Sequence, residues 1–318
     1  MIIDEVKIRP TIAYSAGVLN GMAKNDPESK ATSMLCIMMK CLHGGPSVMI
    51  YAIPVHKLTA AYQFTIVKEA AALVEKSGGI VLGSITDNHK INQQYCKLFD
   101  RITDYQARHP LHDQRVWFLL FDTVHILKCL RNNWITEKCQ KLSLDNEIVG
   151  SFSDVINLYK TEKDNILKTT SLTHTSVYPS RLQLQNVQHV LRVFNEKVVA
   201  ALKLQGAQET ANFIESILNW WNIVNVSSKG QDIRLRDPSR SVQEENSQNL
   251  QSFLDRFKGM SSGHGPKRIQ CLTHDTKRAL LQTTEGLIAV CHHLYTVGFK
   301  YVLLRELQSD RIEGEFSV

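Results

Sequence analysis

The sequence predicts an α/β fold in two parts, a head that mixes strands with helices and a body of helices. Short runs of branched and apolar residues, typical of strands, occur only in the first part of the chain, up to Val116–Phe121. Segments with a 3.6-residue apolar period alternate with the later runs, and from about Lys138 onward the strand pattern disappears. We therefore expect a mixed sheet, with early antiparallel strands and later parallel ones.

The predicted strands of the head are Ile2–Arg9, Gly17–Met22, Ser33–Met39, Ser47–Ile53, Ile80–Ile85 and Val116–Phe121. Pro54 is expected to close the fourth of them. The predicted helices of the head are Leu58–Lys76, Ile91–Phe99 and Val124–Ile135. In the body, the apolar period predicts helices over Phe152–Lys168, Leu182–Leu204, Gln208–Val224 and Thr276–Leu307. Polar loops are expected at Ser227–Asn249 and Gly259–Lys267.

Composition describes an ordinary folded chain. Its 318 residues are 43% hydrophobic and 21% charged with 16 Gly and 8 Pro, which excludes disordered, collagen-like and low-complexity proteins. The apolar stretches are shorter than the roughly 18 residues of a bilayer crossing, and no signal peptide is evident, so we expect a soluble, unsecreted chain without a membrane partner. Seven scattered cysteines predict reduced thiols, and a net charge of +6 permits a polyanionic partner without requiring one.

Carboxylates near strand and helix ends are the first candidates for chemistry. Asp4 lies inside the first predicted strand, Asp87 directly follows Ile80–Ile85, and Asp310 and Glu313 lie in the terminal stretch. Open α/β sheets bind ligands at the carboxyl ends of their strands. Each acid also has a structural interpretation. Asp4 fits a solvated strand residue, Asp87 a helix cap, and the last two first-turn acids of a helix.

Five segments in order resemble the P-element-type transposases, the THAP-domain transposases whose catalytic domain has the RNase H-like fold. These segments are Asp4–Ile8, Thr86–Asn92, Phe121–Trp134, Glu209–Asn225 and Gln308–Phe316. The resemblance implies an RNase H-like mixed sheet interrupted by a large all-helical insertion domain. It implies a first part of the catalytic core at residues 1–137, the insertion at 138–307, and a truncated returning helix of the core at 308–318.

The same resemblance implies a DDE-type enzyme with Asp4, Asp87 and Glu313 as its catalytic, metal-binding triad, and Asp310 and Asn92 as supporting residues. Two Mg²⁺ or Mn²⁺ ions about 4 Å apart can stabilise the entering and leaving oxygens of phosphodiester cleavage and strand transfer. The implied partners are the transposon ends and the target DNA. A homo-oligomer in a synaptic complex and a nuclear location are implied too.

Asp122 competes for a place in the site because it follows the buried strand Val116–Phe121 and precedes a helix. It fits a metal ligand or a helix cap, and capping is expected at a junction of this kind. His125, Lys128 and Arg131 lie on successive turns of that helix. They fit cations that bind a DNA backbone, or a solvated helix face.

Other groups of residues in the helical body are weaker candidates for a functional site. The polar loop contains Arg234, Arg236 and Arg240, which fit phosphate contacts or a plain exposed loop. Trp220 and Trp221 fall at helical spacing with Phe213 and predict core rather than a base-stacking platform. A zinc site at Cys271, His274 and Cys291–His293 is not favoured, because the last three belong to a predicted helix that turns neighbouring side chains in different directions. GTP binding in the insertion is a minor expectation from the resemblance.

Several positions depart from the family pattern. Thr86 and Asn88 stand where the family has cysteine and glycine. The chain opens at the first strand without a THAP module and ends shortly after Glu313. We therefore expect a fragment, an incomplete gene model or a degenerate copy. The alternative function is a truncated or domesticated transposase-derived protein that binds DNA or proteins without cutting. A weaker one is an unrelated α/β hydrolase or nucleotide-binding enzyme.

Overall fold

The computed structural model describes residues 1–15, 18–136, 141–144, 147–227, 240–259 and 272–309. The chain divides into two compact units. The first comprises Met1–Asp122 together with the described residues 306–309, and the second comprises Thr123–Arg305. The domain limits predicted at residues 137 and 307 stay a prediction.

Eight strands lie in the first unit: β1 (Ile2–Lys7), β2 (Ala13–Ser15), β3 (Val18–Asn20), β4 (Ser33–Lys40), β5 (Ser47–Val55), β6 (Gly83–Thr86), β7 (Gln106–Arg108) and β8 (Val116–Phe121). Six of them form one sheet in the order β5-β4-β1-β6-β8-β7, and β2 pairs with β3 in a separate ladder. The short β2 and β7 have no counterpart in the predicted strands. Three-residue segments carry too little alternation to be recognised.

The main sheet is mixed, as predicted. β1, β4 and β5 pair antiparallel, whereas β6 pairs parallel with both β1 and β8, and β7 returns antiparallel along β8. β1 and β6 are the first and fourth strands of this sheet along the chain, and they are neighbours in register at Ile2 and Ile85.

The prediction that Pro54 closes its strand is wrong. β5 continues to Val55, and Pro54 lies opposite Met34 of β4. β5 is an edge strand of the sheet, where a residue without an N–H breaks no ladder on its open side. The Pro54 carbonyl also accepts a hydrogen bond from the Lys24 amide at 2.8 Å.

Two helices belong to the first unit, α1 (Ala60–Lys76) and α2 (Lys90–Cys96). Thr59 caps α1 by accepting the Tyr62 N–H at 3.3 Å. The chain leaves α1 through Gly78, which has a φ of 86° and so takes the left-handed conformation that glycine adopts without strain.

An aromatic cluster links these helices to the sheet. Phe64 of α1 and Tyr95 of α2 pack with Phe99, which stacks on Trp117 of β8 at 5.7 Å. The buried polar atoms of the cluster are paired, because the Tyr95 hydroxyl and the Trp117 indole N–H both donate to Ser84 Oγ. The cluster packs α1 and α2 against the part of the sheet that contains the parallel strands.

The segment predicted as the insertion begins with a hairpin, so the expectation of an all-helical insertion is wrong at this point. β9 (Lys141–Leu144) pairs antiparallel with β10 (Glu147–Ser151). The strands are only four and five residues long, and Leu142 and Val149 are buried. Such a weak alternation is easily missed beside long helical patterns.

The described helices of the second unit are α3 (Thr123–Trp134), α4 (Phe152–Glu162), α5 (His174–Val177), α6 (Val187–Val193), α7 (Glu196–Leu204), α8 (Gln208–Val224), α9 (Arg240–Gly259) and α10 (His274–Thr296). α3 and α8 match their predicted helices closely. The single helix predicted over Leu182–Leu204 is wrong, because Asn195 begins a new helix by accepting the Lys197 N–H. α10 ends before Gly298, whose φ is 97°, and α9 occupies part of the predicted loop Ser227–Asn249.

Aromatic side chains fill the core of the second unit. Trp134 is fully buried against Phe152, Phe194 and Phe213. Trp220 donates its indole N–H to Thr284 Oγ1 at 3.0 Å, and the prediction that Phe213 and the two tryptophans are core is confirmed. No helix in the described parts of the chain combines the length and apolar character that a membrane crossing requires.

Candidate active site

Three carboxylates lie at corresponding levels of three neighbouring strands. Ile2 of β1 pairs with Ile85 of β6, so Asp4 and Asp87 each lie two residues beyond a paired position. Thr86 of β6 pairs with Phe121 of β8, so Asp87 and Asp122 are the next residues of their strands. Neighbouring strands lie about 4.8 Å apart. The parallel register thus gathers Asp4, Asp87 and Asp122 at one region of the sheet.

Asp4 is half-buried inside β1, opposite Cys36 of β4. Its Oδ1 accepts the N–H of Glu5 at 2.8 Å. Burial, and after it the negative charge of Asp4, raise the pKa of the Cys36 thiol to about 11. Cys36 is therefore a neutral thiol at physiological pH, while Asp4 is a carboxylate held within the sheet rather than a fully solvated one.

Asp87 is held by a relay of amide side chains. Asn92 of α2 donates Nδ2 to Asp87 Oδ1 at 2.6 Å, and Gln63 of α1 donates Nε2 to Asn92 Oδ1 at 2.7 Å. The His89 N–H also donates to Asp87 Oδ1 at 2.9 Å, and His89, not Asp87, is the N-cap residue of α2. Both bonds to Asp87 end on Oδ1, so Oδ2 meets no hydrogen-bond donor among the described residues.

Gln63 is a residue that the sequence prediction missed. It is 1% exposed and lies among apolar residues of α1. A glutamine on the buried side of an amphipathic helix is the signal that could have drawn attention to it, because a buried amide requires a partner.

Replacing Asn92 by Ala is expected to lower metal-dependent activity about tenfold to a hundredfold, as loss of a residue that orients a metal ligand commonly does. The change removes one of the two donors to Asp87 Oδ1 and leaves the buried Gln63 amide without its acceptor. The measurement is the rate of DNA nicking as a function of Mn²⁺ concentration. Gln93→Ala is the control, since Gln93 donates to Asn88 instead. Equal rates for the two variants would contradict the relay.

Asp122 is 2% exposed and accepts the backbone N–H of Ser309 on Oδ1 at 3.0 Å. Its own N–H donates to the Thr86 carbonyl at 2.7 Å. Ser309 is separated from Asp122 by 187 positions, so this bond joins the returning end of the chain to the end of β8. Asp310 and Glu313 lie outside the described residues.

The chain is similar to known proteins in part of its sequence and in its fold. Residues 1–100 match the family model described as TNP-like, RNase H N-terminal domain. The head is RNase H-like. The whole chain is similar to a solved structure, the Drosophila P element transposase strand transfer complex, with a TM-score of 0.80 and 15% sequence identity. The similarity covers 99% of this chain and 70% of that chain. No curated protein sequence matches the chain.

The RNase H-like head offers the donor atoms that Mg²⁺ and Mn²⁺ prefer. Both ions favour oxygen ligands, carboxylates above all, over imidazole and thiolate. Asp4 and Asp87 supply carboxylates at equivalent places on β1 and β6, and the free Oδ2 of Asp87 is suited to a cation. The residues present fit a divalent metal site.

The residues predicted to bind DNA have varied surroundings. In α3, His125 is half-buried, whereas Lys128 and Arg131 are buried, so a solvated helix face is wrong for these two. Arg131 donates Nη2 to the Leu184 carbonyl at 3.3 Å, and burial lowers its pKa to about 10, which leaves it charged at neutral pH.

The arginine loop lies mostly outside the described residues, because Arg234 and Arg236 fall there and Arg240 begins α9. Cys271 of the disfavoured zinc group also lies outside them. Of its other members, His274 is exposed and Cys291 is buried.

Proposed function

We propose that the chain is the catalytic core of a DNA transposase, with Asp4, Asp87 and Glu313 as its metal-binding triad. The observation that carries the proposal is the parallel pairing of β1 with β6, which gives Asp4 and Asp87 equivalent places on neighbouring strands. The similarity to a transposase in fold supports the same reaction class. A cation pair, DNA ends and target DNA are the ligands that follow from it.

The residues would divide the work as follows. Asp4, Asp87 and Glu313 hold Mg²⁺ or Mn²⁺, ions that stabilise the extra negative charge on a phosphate during cleavage and joining. Asn92 fixes Asp87 through Oδ1 and is in turn fixed by Gln63, so that Oδ2 keeps one orientation. The proposed reaction uses water to cut the strand and then the freed 3′-hydroxyl to attack target DNA. Asp310 is proposed as a supporting acid beside Glu313.

We further propose that Asp122 positions the returning segment rather than binding metal. Its Oδ1 already accepts the Ser309 N–H, and Ser309 stands four residues before Glu313. A residue that anchors Ser309 fixes the point from which the chain continues toward Glu313.

Two substitutions of Asp122 distinguish these roles. Asp122→Asn keeps a side-chain oxygen that can accept the Ser309 N–H, so cleavage activity is expected to stay within about threefold of wild type, a difference below 1 kcal/mol. Asp122→Ala removes the acceptor and leaves the partly buried Ser309 N–H unpaired, which costs about 1–3 kcal/mol and about tenfold or more in rate. Nicking rates of both variants are the measurement. Equal, severe losses in both would make Asp122 a metal ligand instead.

We propose DNA contacts by His125, Arg234, Arg236 and Arg240, together with a synaptic homo-oligomer and a nuclear location, whereas burial keeps Lys128 and Arg131 from such contacts. The basic excess of the chain supports a polyanionic partner.

The test of the function is a nicking and joining assay on the chain as printed. Supercoiled plasmid is incubated with Mg²⁺ or Mn²⁺, and in parallel with EDTA. An oligonucleotide duplex with a free 3′-hydroxyl end reports joining. Nicking and joining that require the metal are the expected result. DNA binding without cleavage under either metal would overturn the catalytic proposal and favour a transposase-derived binding protein.

A further inference from the structure

A second group of metal-ligating side chains lies in the first unit, away from the acids of the proposed active site. The ligand atoms of Glu75, His109 and His112 all lie within 4.8 Å of one another. Glu75 is in the last turn of α1, and the two histidines lie in the turn between β7 and β8. This turn is closed by backbone bonds from His109 to Arg115, from His112 to His109 and from Arg115 to His112.

The Glu75 carboxylate is held in place by several donors. Arg115 donates to both of its oxygens at 2.7 Å, and the Val81 N–H donates to Oε1 at 3.0 Å. The hydrogen bond from Arg115 is the largest cause that lowers the pKa of Glu75 to about 2. Glu75 is therefore a fixed carboxylate, with Oε2 directed toward His112 Nε2 at 2.9 Å.

His109 carries a buried ring nitrogen that lacks a hydrogen bond. The residue is 2% exposed, and among the described residues its Nε2 meets no acceptor with hydrogen-bond geometry, although Glu75 Oε1 lies 3.5 Å away. Trp117 packs edge-on against the ring at 5.1 Å and limits its movement. A buried polar atom without a partner is costly and calls for an explanation, for which an absent ion is one of the standard candidates.

We propose that Glu75, His109 and His112 bind one Zn²⁺ ion. Two imidazole nitrogens and one carboxylate form a ligand set that zinc commonly uses, with water in the fourth position. Bonds of about 2.0–2.2 Å in a tetrahedral site place neighbouring ligand atoms about 3.4 Å apart. His109 Nε2 lies 3.5 Å from Glu75 Oε1, and His112 Nε2 lies 2.9 Å from Glu75 Oε2. The two histidines thus face different oxygens of the carboxylate, and the side chains have to adjust for one oxygen and both nitrogens to bind a single ion.

Zinc would take the place of protons in this group. In the structure, His112 Nε2 is hydrogen-bonded to Glu75 Oε2, and the ion would take the place of the shared proton. The Leu111 N–H donates to His109 Nδ1 at 3.2 Å, so neutral His109 carries its proton on Nε2. Binding through Nε2 shifts this proton to Nδ1 and gives up the bond from Leu111. Arg115 keeps its two hydrogen bonds to Glu75. Among the described residues that contact Glu75, it is the cationic side chain next to the proposed ion.

Arg115 also defines the competing explanation, in which the group is only an ion pair that fastens α1 to the turn before β8. In that case the hydrogen bonds of Glu75 to Arg115 and His112 only hold the helix against the turn. The two explanations differ in whether His112 contributes to the binding of an added ion.

The experiment uses the full chain carrying Asp4→Asn and Asp87→Asn, so that the proposed catalytic acids do not hold the added ion. Protein stripped with chelator is titrated with Zn²⁺ by calorimetry, and with Co²⁺ to observe visible absorption bands. One equivalent of Zn²⁺ and intense Co²⁺ bands of a four-coordinate site are expected. His112→Ala should weaken binding at least about a hundredfold, because loss of an outer partner alone costs ten to a hundredfold.

His292→Ala is the matched control, since His292 is an exposed histidine of α10 outside the group, and it should bind zinc as the parent does. Because His112 is half-exposed, its replacement is compatible with folding, which a melting curve checks. Absence of a zinc equivalent in the parent, or unchanged affinity in His112→Ala, would overturn the proposal. Neither result bears on the nicking assay, so failure here leaves the transposase proposal untouched.

Discussion

Asp87→Asn is expected to lower metal-dependent DNA nicking by about a thousandfold or more. A carboxylate that binds a metal ion supplies both a ligand atom and a negative charge, and this lowers the barrier of phosphate chemistry by several kcal/mol. Each 1.36 kcal/mol of that barrier is a factor of ten in rate. Asparagine has the same shape and keeps an oxygen for the Asn92 and His89 donors, so the fold should persist. Only the charge is lost. Asp4→Asn is expected to have an effect of the same order.

The measurement is the single-turnover rate of plasmid nicking in Mn²⁺, with a melting curve for each variant. Asp113→Asn is the control, because Asp113 is an exposed aspartate of the same unit. Its rate should match wild type. Cleavage that survives both Asp4→Asn and Asp87→Asn would remove these acids from the reaction and leave the transposase proposal without its triad.

Gly83→Ala is expected to destabilise the first unit by more than about 4 kcal/mol, a loss found only for severe mechanisms such as steric conflict in a core. A Cβ at Gly83 would lie 2.2 Å from the Phe118 carbonyl oxygen and 2.8 Å from its nitrogen. Both atoms are backbone of β8, so neither can turn away. β6 would have to separate from β8, and the positions of Asp87 and Asp122 would change with it.

The measurement is urea unfolding, followed by the fluorescence of Trp117 and the other tryptophans. Gly78→Ala is the matched control, because the same methyl there meets nothing within 4 Å and costs only the strain of a φ of 86°, about 1–2 kcal/mol. A Gly83→Ala chain as stable as the Gly78→Ala chain would show that β6 and β8 are not held as closely as the structure has them.

The strands β1, β4, β5 and β8 of the head could be predicted, since they are long or strongly apolar runs. The matching positions of Asp4 and Asp87 on neighbouring strands were implied by the resemblance and not by the sequence pattern alone. The pairing of β1 with β6 joins residues that are far apart in the chain. Nothing in a local window encodes that pairing. Their role as metal ligands stays a prediction.

Other parts of the site could not be predicted for the same reason. The bond from Ser309 to Asp122 and the contact of Glu75 with His109 and His112 depend on tertiary folding. Gln63 was hidden within an apolar helix face. The hairpin β9–β10 was missed because short strands give weak alternation, whereas α8 was found because its period extends over 17 residues.

The bond between Ser309 and Asp122 has a consequence for how the chain is made. Synthesis proceeds from the amino terminus, so the first 122 residues leave the ribosome long before the segment that completes their unit. Closing a loop of this length adds little entropy beyond that of a shorter one, but contacts so distant in sequence slow folding. The nascent head must therefore remain unfinished until the segment around Ser309, 187 positions after Asp122, has been translated, and any chemistry that needs this segment is delayed until then.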